Sequence, residues 1–134
     1  MSSTLAARGV PILAITGVDL SAALGKLVTF TAGVPAVSAS ATVPAVGIVL
    51  DGNTATKNSS IGFLGANLPP VRALISAASA ALSQGDSLMQ AADGTLTKDT
   101  GAGARVVVGI LSDPNGAQPG DLAECTLTMG NIRS

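Results

Sequence analysis

The chain has 134 residues, of which 47% are apolar and only 11% are charged, and its net charge is −1. It has no histidine and a single cysteine, Cys125, which excludes an internal disulfide framework and removes the commonest general base. The seven basic residues are scattered and the only aromatic residues are Phe30 and Phe63, so the sequence offers no basic, ring-bearing surface for nucleic acid.

Residues 1–9 are small and polar, and they predict a flexible N-terminal arm ahead of a single domain at 10–134. Short strands are predicted at 10–16, 26–31, 45–50, 60–64, 71–76, 86–91, 95–98, 105–111 and 122–129. Only residues 19–24 and 75–82 could form helical turns. The predicted fold is therefore mostly β.

Two segments of the chain repeat one pattern, at about residues 23–52 and 81–114. Each begins with Ala-Leu, crosses a turn-rich stretch and closes on a Val-Gly-Ile strand, at 46–48 and 108–110, that ends in an Asp turn. The period of about 60 residues exceeds the roughly 20 to 50 typical of solenoids. We therefore expect two related β-units in a small β-barrel or β-sandwich.

The apolar content consists largely of small side chains, with 23 alanines and 16 glycines against no tryptophan or tyrosine. Because large rings supply much of the buried area in cores, we expect the isolated monomer to be marginally stable. Self-association or docking on a larger surface would offset this.

The segment 27–50 is uncharged and long enough to cross a bilayer. Gly33, Pro35, Pro44 and Gly47 interrupt it, and a lipid-exposed span must close its backbone hydrogen bonds within a helix. A membrane-spanning role is therefore disfavoured.

The strongest candidates for chemistry are Asp86 and Asp121, which both follow a glycine and precede a strand. They could act as paired carboxylates, but aspartate in turns usually bonds the local backbone, and we favour that role. The Gly-Ala-Gly-Ala segment at 101–104 lacks the third glycine and the helix of a nucleotide-binding loop. Cys125 has no histidine to activate it and is expected to pack in the core. Arg72 could point outward or contact another subunit. No catalytic, cofactor-binding or metal-binding residue is assigned.

Four motifs together resemble a known family. They are Ala-Leu-Ser-Gln-Gly-Asp (81–86), Ala-Ala-Asp-Gly-Thr-Leu-Thr (91–97), Val-Val-Gly-Ile (107–110) and Pro-Gly-Asp-Leu-Ala-Glu (119–124). In this order and spacing they resemble the small capsid cement proteins of tailed bacteriophages. The segments 25–28 and 45–48 are similar to the core of the lambda-type head-decoration protein.

The resemblance implies a β-tulip-like, non-enzymatic virion protein without a cofactor. It would be made in the host cytoplasm, bind the outer surface of the expanded head, clamp neighbouring major capsid subunits and form a homotrimer. Neither nucleic acid nor membrane would be a direct partner. The departures from the family are the second unit and the missing Trp and Tyr residues. The alternatives are a phage fibre or tail-surface module, a small ligand-binding β-domain or a carboxylate-dependent enzyme.

The resemblance also implies a role for the N-terminal arm, which in the lambda-type family orders on the capsid and adds to its strands. Such an arm would bind through main-chain hydrogen bonds to an exposed sheet edge. The implied capsid-binding residues are Ser2, Ser3, Thr4, Leu5, Ala6, Ala7, Arg8 and Gly9.

Overall fold

The computed structural model describes residues 12–65 and 67–134, which form two five-stranded antiparallel sheets. The first sheet contains β1 (Ile12–Thr16), β2 (Leu27–Thr31), β3 (Val34–Val37), β4 (Gly47–Asn53) and β5 (Asn58–Phe63). The second contains β6 (Val71–Leu74), β7 (Ser87–Gln90), β8 (Leu96–Lys98), β9 (Arg105–Leu111) and β10 (Leu122–Arg133). The mostly β fold expected from the sequence is confirmed.

The two sheets have the same strand order. It is β1-β5-β4-β2-β3 in the first sheet and β6-β10-β9-β7-β8 in the second, so strands with the same place in each half of the chain correspond. The register agrees as well, because Leu27 lies opposite Ile48 in the first sheet and Ser87 lies opposite Ile110 in the second. The two Val-Gly-Ile segments therefore occupy the same position.

The turn that leads into β2 is repeated before β7. Gly25 donates its backbone N–H to the carbonyl of Val49 at 3.0 Å, and Gly85 donates to that of Leu111 at 2.7 Å. Both glycines have positive φ, at 78° and 92°, a conformation that side chains disfavour. Each half of the chain thus enters its second strand through one kind of turn.

The main hydrophobic core lies between the two sheets. Leu27 and Ile48 from the first sheet join Leu88 and Leu111 from the second, and all four side chains are fully buried. Because side chains alternate between the two faces of a strand, one face of each sheet contributes to this core.

A second, smaller core covers the opposite face of the first sheet. Val28, Val49 and Ile61 are buried there, and Ala23 from a short 3-10 helix at Ser21–Ala23 packs against them. The first sheet is therefore covered on both faces.

The second sheet curls because its two edge strands meet. An isolated parallel bridge joins Ile75, just after β6, to Leu96 in β8. A second bridge joins Leu82 to Ala117, and these two bridges flank the segment 75–82. That segment forms turns, so its predicted helical character was wrong. The helical turn expected at 19–24 is present as the 3-10 helix.

Two further differences concern strand boundaries. The sequence did not predict β3, in which Pro35 lies on the edge strand of its sheet, where a missing N–H is tolerated. The last strand was expected to end at residue 129, but β10 continues to Arg133 after a register shift between Leu127 and Asn131. Within the described residues, no helix is long and apolar enough to cross a membrane.

Candidate functional site

The aspartate side chains of the chain bond to the backbone around them. All seven aspartates accept a hydrogen bond from a backbone N–H within three residues, and these are Asp19, Asp51, Asp86, Asp93, Asp99, Asp113 and Asp121. In the Asp93-Gly94 turn, the hydroxyl of Thr95 is the main cause of the lowered pKa of Asp93. The aspartates therefore stabilise turns.

The two aspartates singled out from the sequence follow this pattern. Ser83 donates its N–H to Asp86 at 2.8 Å, and Gln118 donates its N–H to Asp121 at 2.9 Å. The Ser83 bond is also the main cause of the lowered pKa of Asp86. The favoured turn role of both residues is confirmed. In the part of the chain that the structure describes, no three His, Cys, Asp or Glu side chains form a possible metal site.

The remaining sequence candidates have structural contacts. Burial raises the pKa of the Cys125 thiol to about 12, and the thiol donates to the Ala123 carbonyl at 3.4 Å. The 101–104 segment is a loop before β9, and Asp99 accepts hydrogen bonds from Gly101 and Arg105 across it. The cysteine is therefore a core residue, as expected.

Arg72 lies on the exposed face of the second sheet. It is opposite Glu124 in β10, so residues of opposite charge lie next to each other on neighbouring strands. The capsid-binding arm predicted at residues 2–9 lies outside the described residues.

An apolar groove at the junction of the two sheets has the character of a binding surface. Pro44, Val46, Phe63, Leu64 and Met129 line it, and its volume is about 310 Å³. Met129 is 72% exposed and Val46 is 43% exposed. We call this feature the apolar groove.

The loop that forms one wall of the groove is held by a buried amide. Gln90 is only 2% exposed, and its Oε1 accepts the backbone N–H of Ala45 at 2.8 Å. Its Nε2 donates to the carbonyls of Ser40 at 3.2 Å and Val43 at 3.0 Å. We call residues 38–46 the Gln90-held loop. Because a buried amide needs partners, these three bonds fix the loop and the side chain together.

Sequence reasoning did not find Gln90 or the groove. One signal was available, since Gln90 falls two residues after the core residue Leu88 and so shares its buried face. Its partners lie 45 to 50 residues away along the chain, and no local pattern indicates them. Alternation along the last strand puts Met129 on the same face as the buried Ala123, Cys125 and Leu127, and the register shift instead leaves it exposed.

Comparison with known proteins adds no relative. No family model, curated protein or solved structure matches the chain.

Proposed function

We propose that the protein is a structural component of a tailed-phage virion that binds the outer surface of the expanded head and stabilises the shell. In this role it clamps neighbouring major capsid subunits as a homotrimer, and its N-terminal arm contributes to binding. The proposal is based on a resemblance to the small capsid cement proteins of tailed bacteriophages, which is carried by the motifs at 81–86, 91–97, 107–110 and 119–124.

The observation that carries the proposal is the use of the aspartates. Every one of the seven bonds to nearby backbone, where it stabilises a turn, and the chain has no histidine. General acid–base chemistry needs a side chain that is free to exchange protons with a substrate. A chain whose aspartates all bond turn backbone is better suited to an assembly role than to catalysis.

The shape of the chain supports the same role. Within the described residues, ten strands in two packed sheets bury a continuous core between them, while the apolar groove and several large apolar side chains stay exposed. Exposed apolar patches on a small domain typically mark protein interaction sites.

The test is co-sedimentation of the purified chain with expanded shells that lack it, beside a truncation without residues 1–9. We expect saturable binding at a fixed ratio to capsid subunits, and weaker binding by the truncation. Absence of binding by both forms would overturn the proposal. Labelling at tails instead of heads in micrographs of the particle would favour a fibre or tail-surface module.

A further inference from the structure

The apolar groove differs from the other two described cavities in its chemistry. One of those is lined by Lys98 and Asp99 and the other by Asp51 and Asn58, whereas the lining of the apolar groove carries no charged side chain. A charged partner group would lose its hydration there without gaining a counter-charge. The groove therefore suits an uncharged, apolar ligand.

The apolar surface continues beyond the groove. Val43, the neighbour of Pro44, is 57% exposed, and Ile132, two residues after Gly130, is 66% exposed. Contact between the two sides is close, because a Cβ on Gly130 would lie 2.9 Å from the Cβ of Pro44. The two walls thus form a single surface.

The wall made by the Gln90-held loop is ordered before any partner binds. In addition to the three Gln90 bonds, the Ser40 hydroxyl accepts the N–H groups of Thr42 at 3.1 Å and Val43 at 3.0 Å. Because the loop is already ordered in the free protein, less conformational entropy is lost when a partner binds.

The corresponding position in the first sheet shows that an amide is not required by the fold. Phe30 pairs with Pro35 in β2 and β3, as Gln90 pairs with Leu96 in β7 and β8. The ring of Phe30 occupies that position and stacks on the ring of Phe63, with 5.9 Å between the ring centroids. The amide of Gln90 is thus explained by the loop that it holds.

The backbone beside the groove favours an extended ligand. β6 pairs with β10 only from Leu122 to Cys125, because Pro69 and Pro70 precede β6 and proline cannot donate to a ladder. Among the described strands, the last residues of β10, 131–133, pair with β9 alone. An added strand could bond to the backbone on their other side.

We propose that the apolar groove and the adjoining end of β10 bind an extended, uncharged, apolar segment of the major capsid subunit. The inference rests on the proposed function and names the surface and the partner chemistry for it. Apolar side chains of the segment fill the groove, and its main chain pairs with residues 131–133.

The test compares three forms of the full chain by co-sedimentation with expanded shells lacking the protein. They are the wild type, Met129→Asp, and Val34→Asp as the matched control, since Val34 is 53% exposed on β3 and lies outside the groove lining. We expect the wild type and Val34→Asp to bind equally and Met129→Asp to bind at least tenfold more weakly. Equal thermal midpoints would show that all three are folded, and Ile132→Asp replaces Met129→Asp if that variant unfolds.

The outcomes separate this inference from the proposed function. If the wild type fails to sediment with shells, the proposed function fails and the inference falls with it. If the wild type binds and the groove variants bind equally well, the inference is wrong while the function stands. If the substitutions dissociate an oligomer of the free protein but leave shell binding intact, the occupant is a second copy of the chain, which also overturns the inference.

Discussion

The two sheets have the same strand order but are covered differently. In the first sheet, Leu27 and Ile48 lie opposite each other and are fully buried between the sheets. In the second, the corresponding pair is Ser87, which is exposed, and Ile110, which is 43% exposed. The same strand order therefore occurs in one sheet that is covered on both faces and in another that exposes one face to solvent.

The difference shows that side-chain chemistry, and not topology, decides where the stacking of sheets ends. The covered face of the first sheet carries the apolar Leu27 and Ile48. The corresponding face of the second sheet carries Ser87, Arg72 and Glu124, which are all exposed. Charged residues on that face make further sheet packing unfavourable, as in the terminal repeats of stacked arrays. The apolar groove lies at the junction of the sheets, where neither sheet covers it.

The largest expected difference is between Ile48 and Ile110, which occupy corresponding positions in the two sheets. Ile48→Ala should lower the free energy of unfolding by about 2–5 kcal/mol, because it leaves a cavity in the core between the sheets. Ile110→Ala should cost about 1 kcal/mol or less, since the side chain is half exposed. Urea denaturation of both variants measures the difference, and equal losses would contradict the assignment of the two faces.

The next largest effect is expected at Gln90, whose counterpart in the first sheet is Phe30. Gln90→Met keeps the volume but leaves the Ala45 N–H and two loop carbonyls without partners, so stability should fall by about 2–3 kcal/mol. Met89→Gln, at the half-buried neighbouring position, is the control and should change stability little. Hydrogen exchange of the Ala45 amide should become faster in Gln90→Met only. Unchanged protection of the Ala45 amide would argue that Gln90 does not hold the loop.

A smaller effect is expected at Cys125, which corresponds to Ile61 in the first sheet. With its pKa raised by burial from 9.0 to about 12, the thiol is neutral and inaccessible in the folded protein. A disulfide reagent at pH 8 should react with it only after urea unfolding. The stabilisation from burying the neutral thiol is fully present below pH 9 and is lost as the pH rises toward about 12. Rapid labelling of the native protein would contradict this placement.

The smallest effect is expected at the repeated turn. Asp86 accepts the Ser83 N–H, while Lys26 at the corresponding position in the first sheet can only donate from its side chain. Asp86→Ala should lower the thermal midpoint at pH 7 slightly, and Lys26→Ala should leave it unchanged. Because hydrogen bonding lowers the pKa of Asp86, its contribution is present above the unfolded pKa near 3.8 and is lost as the pH falls through the lowered value. The two variants should therefore converge in acid, and a difference that persists there would point to another cause.

Local signals explain what could be predicted from the sequence. The Asp93-Gly94 and Gly120-Asp121 turns were predictable because the bonds that hold them span only a few residues. The nearly continuous apolar run at 106–111 is itself a local signal for the central place of β9, since a strand with neighbours on both sides sits well inside the fold.

The remaining features depend on contacts that are distant in the chain. The register shift that exposes Met129 arises where β10 pairs with β9, and local alternation predicted the opposite face. The alanine-rich segment at 75–82 has good helix formers, but one bridge to Leu96 in β8 and another to Ala117, ahead of β10, hold it in turns. The apolar groove combines side chains from both halves of the chain, so no window of sequence contains it.

The most direct test of the central claim is the stability of the particle itself. Virions produced with and without this protein would be heated while the accessibility of their DNA to a dye is recorded. A shell-stabilising role predicts that particles lacking the protein release DNA at a lower temperature, and that adding the purified chain back restores the higher one. Identical release temperatures, with the protein absent from purified virions, would contradict the account.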